Sequence, residues 1–343
     1  MPIFIIFVEL EFIMNHKAKI IKFTELTVKI AIVLLGIWIL YKRVFANQDV
    51  SDVFKEIKTS FTDNRQFILM LFALLLVPFN IFLEGIKWKI QLKPIEKISY
   101  WKSFLSIFTG ISAAMFFPNR MGNFIGRIFM LERGDRIKAS LISVVGGFSQ
   151  MIATVSLGLI ASLFFYEKHI ILISAIIFVL ISLLLIMFFN IHLLKYFHFI
   201  IPKKLKDKTR DYFEIFSLYE KKELFCILML SYIRYFLYTF QFVLLVWAFN
   251  IPLTYFKAMI PISLTYLLMM IVPFITITEI AVRGSVSILV FEKWLMINDI
   301  NSSLGVMVFS ASSLLWILNI AIPAFIGLIL TYRLKFFRNK NEL

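Results

Sequence analysis

Two short stretches of this chain set polar side chains into apolar surroundings at a spacing that shares one helix face. In PNRMGNFIGR, residues 118–127, Asn123 and Arg127 stand four apart; in PFITITEIAVR, residues 273–283, Glu279 and Arg283 do the same. Residues at i and i+4 are neighbours on a helix surface. Arginine's planar fork takes phosphate through two parallel hydrogen bonds, and charges inside apolar spans usually mark a functional path. The chemistry on offer is capture of an anionic head group, with Arg127, Arg283, Glu279, Asn123, Arg120 and Asn119 as the candidate substrate-binding residues. A structural role competes at each position. Glu279 would clamp Arg283, hairpin carbonyls would hold Arg127, and Arg120 would snorkel to the interface. Arg127 has no acid in its own stretch, which favours the head-group role there, because a buried charge needs a partner.

A second set of residues reads as structural or coupling. Pro118 and Pro273 break the two apolar stretches, and Gly122 and Gly126 have the small-xxx-small spacing of close helix packing. Glu84 and Arg234 fall at matching depth in their apolar runs and are expected to form an ion pair. Gln150, Gln241 and Asn319 are expected to hydrogen-bond between helices. The single cysteine, Cys226, excludes an intramolecular disulfide and is expected to pack in its apolar run. Histidines 16, 169, 192 and 198 have no metal-ligand spacing, so neither a metal nor another cofactor is expected. The chain also lacks HExxH, a Walker loop and a Ser/His/Asp set, so it is not expected to be an enzyme. Without an ATP site, any transport would be gradient-driven, partner-driven or a passive scramble.

The elements that must position these residues are membrane helices. Of 343 residues, 60% are hydrophobic and 17% charged, against roughly 45–50% and about a quarter in soluble domains. Apolar runs near the length of about 20 residues that a bilayer requires predict spans at 26–44, 66–86, 139–165, 170–190, 224–249 and 303–331. Between them lie two broken pairs, 100–117 with 121–132 and 258–272 with 277–291, interrupted at Pro118 and Pro273. Backbone that breaks at membrane depth is tolerated where protein buries it or water reaches it. The expected fold is therefore an all-α polytopic membrane protein, with about six full transmembrane helices plus two re-entrant helical hairpins.

Charge supplies an orientation. With the N-terminus inside, 24 of the 36 Lys and Arg fall on the cytoplasmic side and six on the other, a strong positive-inside bias. Both termini are expected in the cytoplasm, and the net charge of +15 is accounted for without nucleic acid. Residues 1–25 form an N-terminal segment in which MPIFIIFVELEFI reads as an over-extended start before Met14, or as a short surface helix. Residues 334–343 form a tail. The segment PKKLKDKTRDYFEIFSLYEKK, 202–222, suits a surface helix on anionic lipid or simple orientation by charge.

A shift of 156 residues carries Arg127 onto Arg283, Asn123 onto Glu279 and the span 68–93 onto 224–249; Pro118 and Pro273 match within one residue. The two hairpins would enter from opposite sides, so residues 66–165 and 224–331 are expected to form inverted repeats within one membrane domain, 26–333, a transporter signature.

The tip P-x-x-x-G-(Glu or Asn)-x-x-x-R, the helix GGFSQMIATVSLGLI and the segment PFITITEIAVRGSVSILVF resemble the flippase-like family related to the transmembrane region of lysylphosphatidylglycerol synthase. The resemblance covers about residues 26–333. It implies a protein that moves charged or glycosylated lipids between leaflets, or supports enzymes that use them. The family's first tip usually carries an acid where this chain has Asn123, which argues against two equivalent acid–arginine pairs. Without an aminoacyl-transferase domain in these residues, a complete lipid synthase is not expected. The expected function is translocation of an anionic phospholipid or lipid-linked glycan across a bacterial inner membrane. The alternative is a non-transporting scaffold for a lipid- or glycan-modifying enzyme.

Overall fold

The structure, a computed structural model, describes residues 62–115, 122–128, 130–131, 135–165, 169–193, 214–272, 278–300 and 304–332, together with Thr27 and Lys58. Apart from Thr27, the expected first span at 26–44 lies outside this set, as do the linker 202–213, the tail, and the tip residues Pro118, Asn119, Arg120 and Pro273.

Every regular element among the described residues is helical. In chain order these are α1 (Asn64–Leu92), α2 (Tyr100–Ala114), α3 (Gly122–Ile128), α4 (Arg136–Ser162) and α5 (Ile170–Phe189). They are followed by α6 (Lys221–Ala248), α7 (Tyr255–Ile271), α8 (Glu279–Ile297) and α9 (Gly305–Trp316). A π turn, Ile317–Ala321, then carries α9 into α10 (Ile322–Tyr332). Five stretches are long and apolar enough to cross a membrane: α1, α4 with its short 3-10 extension to Phe165, α5, α6, and Gly305–Leu330. They coincide with five of the expected spans. The shorter α2–α3 and α7–α8 stand where the broken pairs were expected.

Polar residues at the ends fix where these helices start. Asp63, Ser99 and Asp135 accept hydrogen bonds from backbone N–H groups in the first turns of α1, α2 and α4. Glu220 and Glu223 form a capping box on α6. α1 runs past the expected end at residue 86, through Lys87, Trp88 and Gln91, all of which are buried. Lys87, just past the expected end of that span and counted among the cytoplasmic cations, is therefore not a loop residue. Cys226 is exposed on the outside of α6 rather than packed, a position that costs nothing beside lipid.

α1 and α6 are the central pair and run antiparallel. Gln241 Nε2 donates to Ala73 O at 2.9 Å, Arg234 Nε to Asn80 Oδ1 at 2.8 Å, and Lys87 Nζ to Ser231 Oγ at 3.4 Å. As numbers rise on α1 they fall on α6. Below the pair, the buried Tyr219 hydroxyl donates to Gln91 O at 2.6 Å, and burial pushes that phenol well above its ordinary range.

Around this pair the short helices pack in two hairpins, α2 on α3 and α7 on α8. A Cβ at Gly126 would collide with Thr109 O and the Gly110 Cα, so the absence of a side chain permits the α2–α3 crossing. α2 also packs on α10, and α7 on α4, again through glycines. A Cβ at Gly327 would meet Phe108 O, and one at Gly158 would meet Leu267 and Ser263. α5 is the most apolar span, mean hydropathy 3.3, and lies almost wholly on the outside. Its apolar surround is what a lipid-facing helix needs.

Candidate functional site

The charged residues singled out by their spacing meet in the middle of the bundle. Glu84, one turn before the end of the apolar part of α1, is only 5% exposed. Three cations hold its carboxylate: Arg127 Nη1 from α3 at 2.7 Å, Arg234 Nη1 from α6 at 2.7 Å, and Lys87 Nζ from its own helix at 2.8 Å. Each of these bonds is charge-assisted, and Glu84, Lys87 and Arg127 are buried, where partners matter most.

Arg127 therefore does not lack an acid. The acid comes from another helix, Glu84 standing where the local sequence offers only Asn123, whose Oδ1 accepts from Arg127 Nε at 3.0 Å. Hairpin carbonyls play no part among the described residues. Arg127 also lies over the Trp88 ring, with 5.7 Å from guanidinium carbon to centroid. Arg234 is the least enclosed of the group. Asn80 Oδ1 accepts from its Nε at 2.8 Å and Gln150 Oε1 from its Nη1 at 3.3 Å. Asn80 is in turn held by Asn319, whose Oδ1 accepts at 3.2 Å. Asn319 sits in the π turn of the last span, an irregularity that turns a side chain toward the site.

The second pair forms as its spacing dictates. Arg283 Nη2 donates to Glu279 Oε1 at 2.6 Å, with both residues buried on α8. Arg283 Nη1 reaches Tyr238 Oη at 3.4 Å, and its guanidinium lies 5.8 Å from the Tyr266 ring centroid. Arg283 Nε and Tyr266 Oη have no hydrogen-bond partner in the structure although both are buried. Orphaned buried donors of this kind call for an explanation.

Both clusters face one cavity of about 480 Å³. Its polar wall includes Glu84, Arg127, Arg234, Glu279 and Arg283 with several amides and tyrosines, and isoleucines and methionines of α1, α2 and α7 supply much of its apolar lining. At the α7 end its wall includes Met270 and Ile271, and Ile271 is 73% exposed on the outside of the bundle. The cavity is thus charged within, with exposed apolar residues of α7 at this end of its wall.

Of the residues expected at the site, Arg127, Asn123, Arg283 and Glu279 line this cavity, as do Glu84, Arg234 and Gln150. Gly126 holds the α2–α3 crossing and Gly122 is buried at the start of α3. Lys87, Asn80, Tyr238, Tyr266 and Trp88 were not legible as site residues. For Lys87 and Asn80 a signal existed, since α1 repeats polar residues at 80, 84, 87 and 91, a helical stripe within an apolar run.

A helical, multi-pass membrane protein with a cationic cavity walled at one end by exposed apolar residues is the class that fold and site define. The chain belongs to the family described as the lysylphosphatidylglycerol synthase TM region, whose model matches residues 26–309, which relates it to lipid handling. Searches of curated proteins and of solved structures found no match.

Proposed function

We propose that this protein moves an anionic phospholipid or lipid-linked glycan between the leaflets of a bacterial inner membrane, with both termini in the cytoplasm. The observation that carries the reading is the single cavity onto which Arg127, Arg234 and Arg283 converge from three different helices. Such a cavity offers a charged head group a polar surround, while the exposed apolar end at Ile271 lets acyl chains stay in the bilayer.

The internal correspondence supports a path formed between inverted halves with re-entrant hairpins. A shift of 156 residues lays α1 on α6 and α2 on α7. It also carries Gly110, whose position abuts Arg127, onto Tyr266, which abuts Arg283. Antiparallel contact between equivalent spans is what a two-fold axis in the membrane plane requires. Side-specific labelling of Asn119→Cys and Ile275→Cys, in a Cys226→Ser background, tests the hairpins. Tips exposed to opposite bulk-water compartments would exclude re-entry.

The functional test is outer-leaflet head-group labelling in reconstituted vesicles. Arg283→Ala and Arg127→Ala should abolish lipid movement in folded protein. Lysine should rescue in part, because it keeps the charge and loses the bidentate fork. A second reading, a non-transporting scaffold for a lipid- or glycan-modifying enzyme, draws on the extent to which Glu84 already occupies Arg127. Normal lipid movement in both alanine variants would remove the head-group role, and the scaffold would then stand.

A further inference from the structure

The charges around the cavity do not balance. Among the described residues Glu84 is the single carboxylate bonded to Lys87, Arg127 and Arg234, which leaves two positive charges on that cluster. Across the cavity Glu279 and Arg283 neutralise each other. An excess of this kind, on charges largely withdrawn from water within a helical bundle, is costly until an anion answers it.

The donors left over are placed to meet one. Among the described residues Arg127 and Arg234 each make their hydrogen bonds through Nε and Nη1, which leaves each Nη2 to spare. Arg283 Nε and Tyr266 Oη are buried on the same cavity without partners. A phosphodiester lipid brings one negative charge and would leave a buried cation unanswered. A phosphomonoester carries roughly −1.5 to −2 at neutral pH, and a pyrophosphate carries at least as much with more acceptor oxygens.

We infer that the cavity selects a lipid whose head group is a phosphomonoester or pyrophosphate over a phosphodiester lipid such as phosphatidylglycerol. This rests on the head-group reading proposed above and narrows it to a substrate class. Lys87 is central because it sets the excess without facing the cavity: it sits behind Glu84, 1% exposed, and its ammonium is spent on the carboxylate.

The test is competitive binding to the full chain in phosphatidylcholine nanodiscs, read by native mass spectrometry. The probes are polyprenyl phosphate, phosphatidic acid, phosphatidylglycerol and inorganic pyrophosphate. The two lipid phosphomonoesters should bind on the order of 30-fold or more tighter than phosphatidylglycerol, the scale of an unanswered buried charge. Lys87→Met reduces the excess to one and should shrink that ratio toward unity, whereas Lys87→Arg should keep it. Equal or tighter binding of phosphatidylglycerol by the unaltered protein would overturn the inference without recourse to any variant. A ratio unchanged in folded Lys87→Met would also overturn it. Inorganic pyrophosphate binding as tightly as the lipid phosphates would reassign the seat to a soluble anion. Retained preference without lipid movement would remove the translocation reading and leave this one standing.

Discussion

Glu84→Gln is the substitution from which most follows, because one neutral amide replaces the acceptor of three cations. In the intact protein the carboxylate takes Arg127, Arg234 and Lys87 at 2.7, 2.7 and 2.8 Å. Removing one partner of a buried pair costs about 3–5 kcal/mol, largely through the charge left behind. Here three cations lose their counter-charge, so the lower end of that range is a floor. At about 2–4 °C per kcal/mol, the scale for larger domains, Glu84→Gln should lower the midpoint of unfolding by on the order of 10 °C. The assay is thermal unfolding in nanodiscs, followed by tryptophan fluorescence, which Trp88 beside Arg127 is placed to report. Combining Glu84→Gln with Lys87→Met returns the net charge to its original value and should recover part of the loss, a coupling measurable as a double-mutant cycle. An unchanged midpoint in Glu84→Gln, or strictly additive losses in the pair, would refute mutual compensation.

Three smaller perturbations probe the supports. Gly126→Ala would press a methyl group onto the α2 backbone at Thr109 and Gly110, and should destabilise by about 1–3 kcal/mol in thermal unfolding while displacing neighbouring Arg127. Asn319→Leu removes the acceptor that holds Asn80 against Arg234, and should cost about 1 kcal/mol while weakening head-group binding by a few-fold. Tyr219→Phe deletes the hydroxyl donating to Gln91 O, and should cost about 1 kcal/mol of stability with head-group binding unaffected, because that bond lies outside the cavity.

Much of the architecture was legible because membrane spans answer to local composition. Runs of apolar residues place α1, α4, α5, α6 and α9–α10 within a few residues, and proline breaks separate the short helices. The end of α1 was misjudged for a physical reason. A lysine at 87 normally signals the water interface, but here Glu84 and Ser231 give it partners inside the bundle. The i, i+4 pair of Glu279 with Arg283 was likewise legible, since both partners lie on one helix.

The acid for Arg127 was not legible, because it lies 43 residues away on α1, and no local spacing encodes which helices will touch. The same holds for the π turn that presents Asn319, and for Tyr266 beside Arg283. Sequence alone determined that the chain is a set of membrane helices with a few charges buried among them, since hydrophobicity and helix periodicity act over single segments. Only the tertiary structure decided that Lys87, Arg127 and Arg234 share one carboxylate, and that the two arginines meet the Glu279–Arg283 pair on one cavity. Their partners come from helices far apart in the chain, and the excess of positive charge emerges only when those helices are packed together.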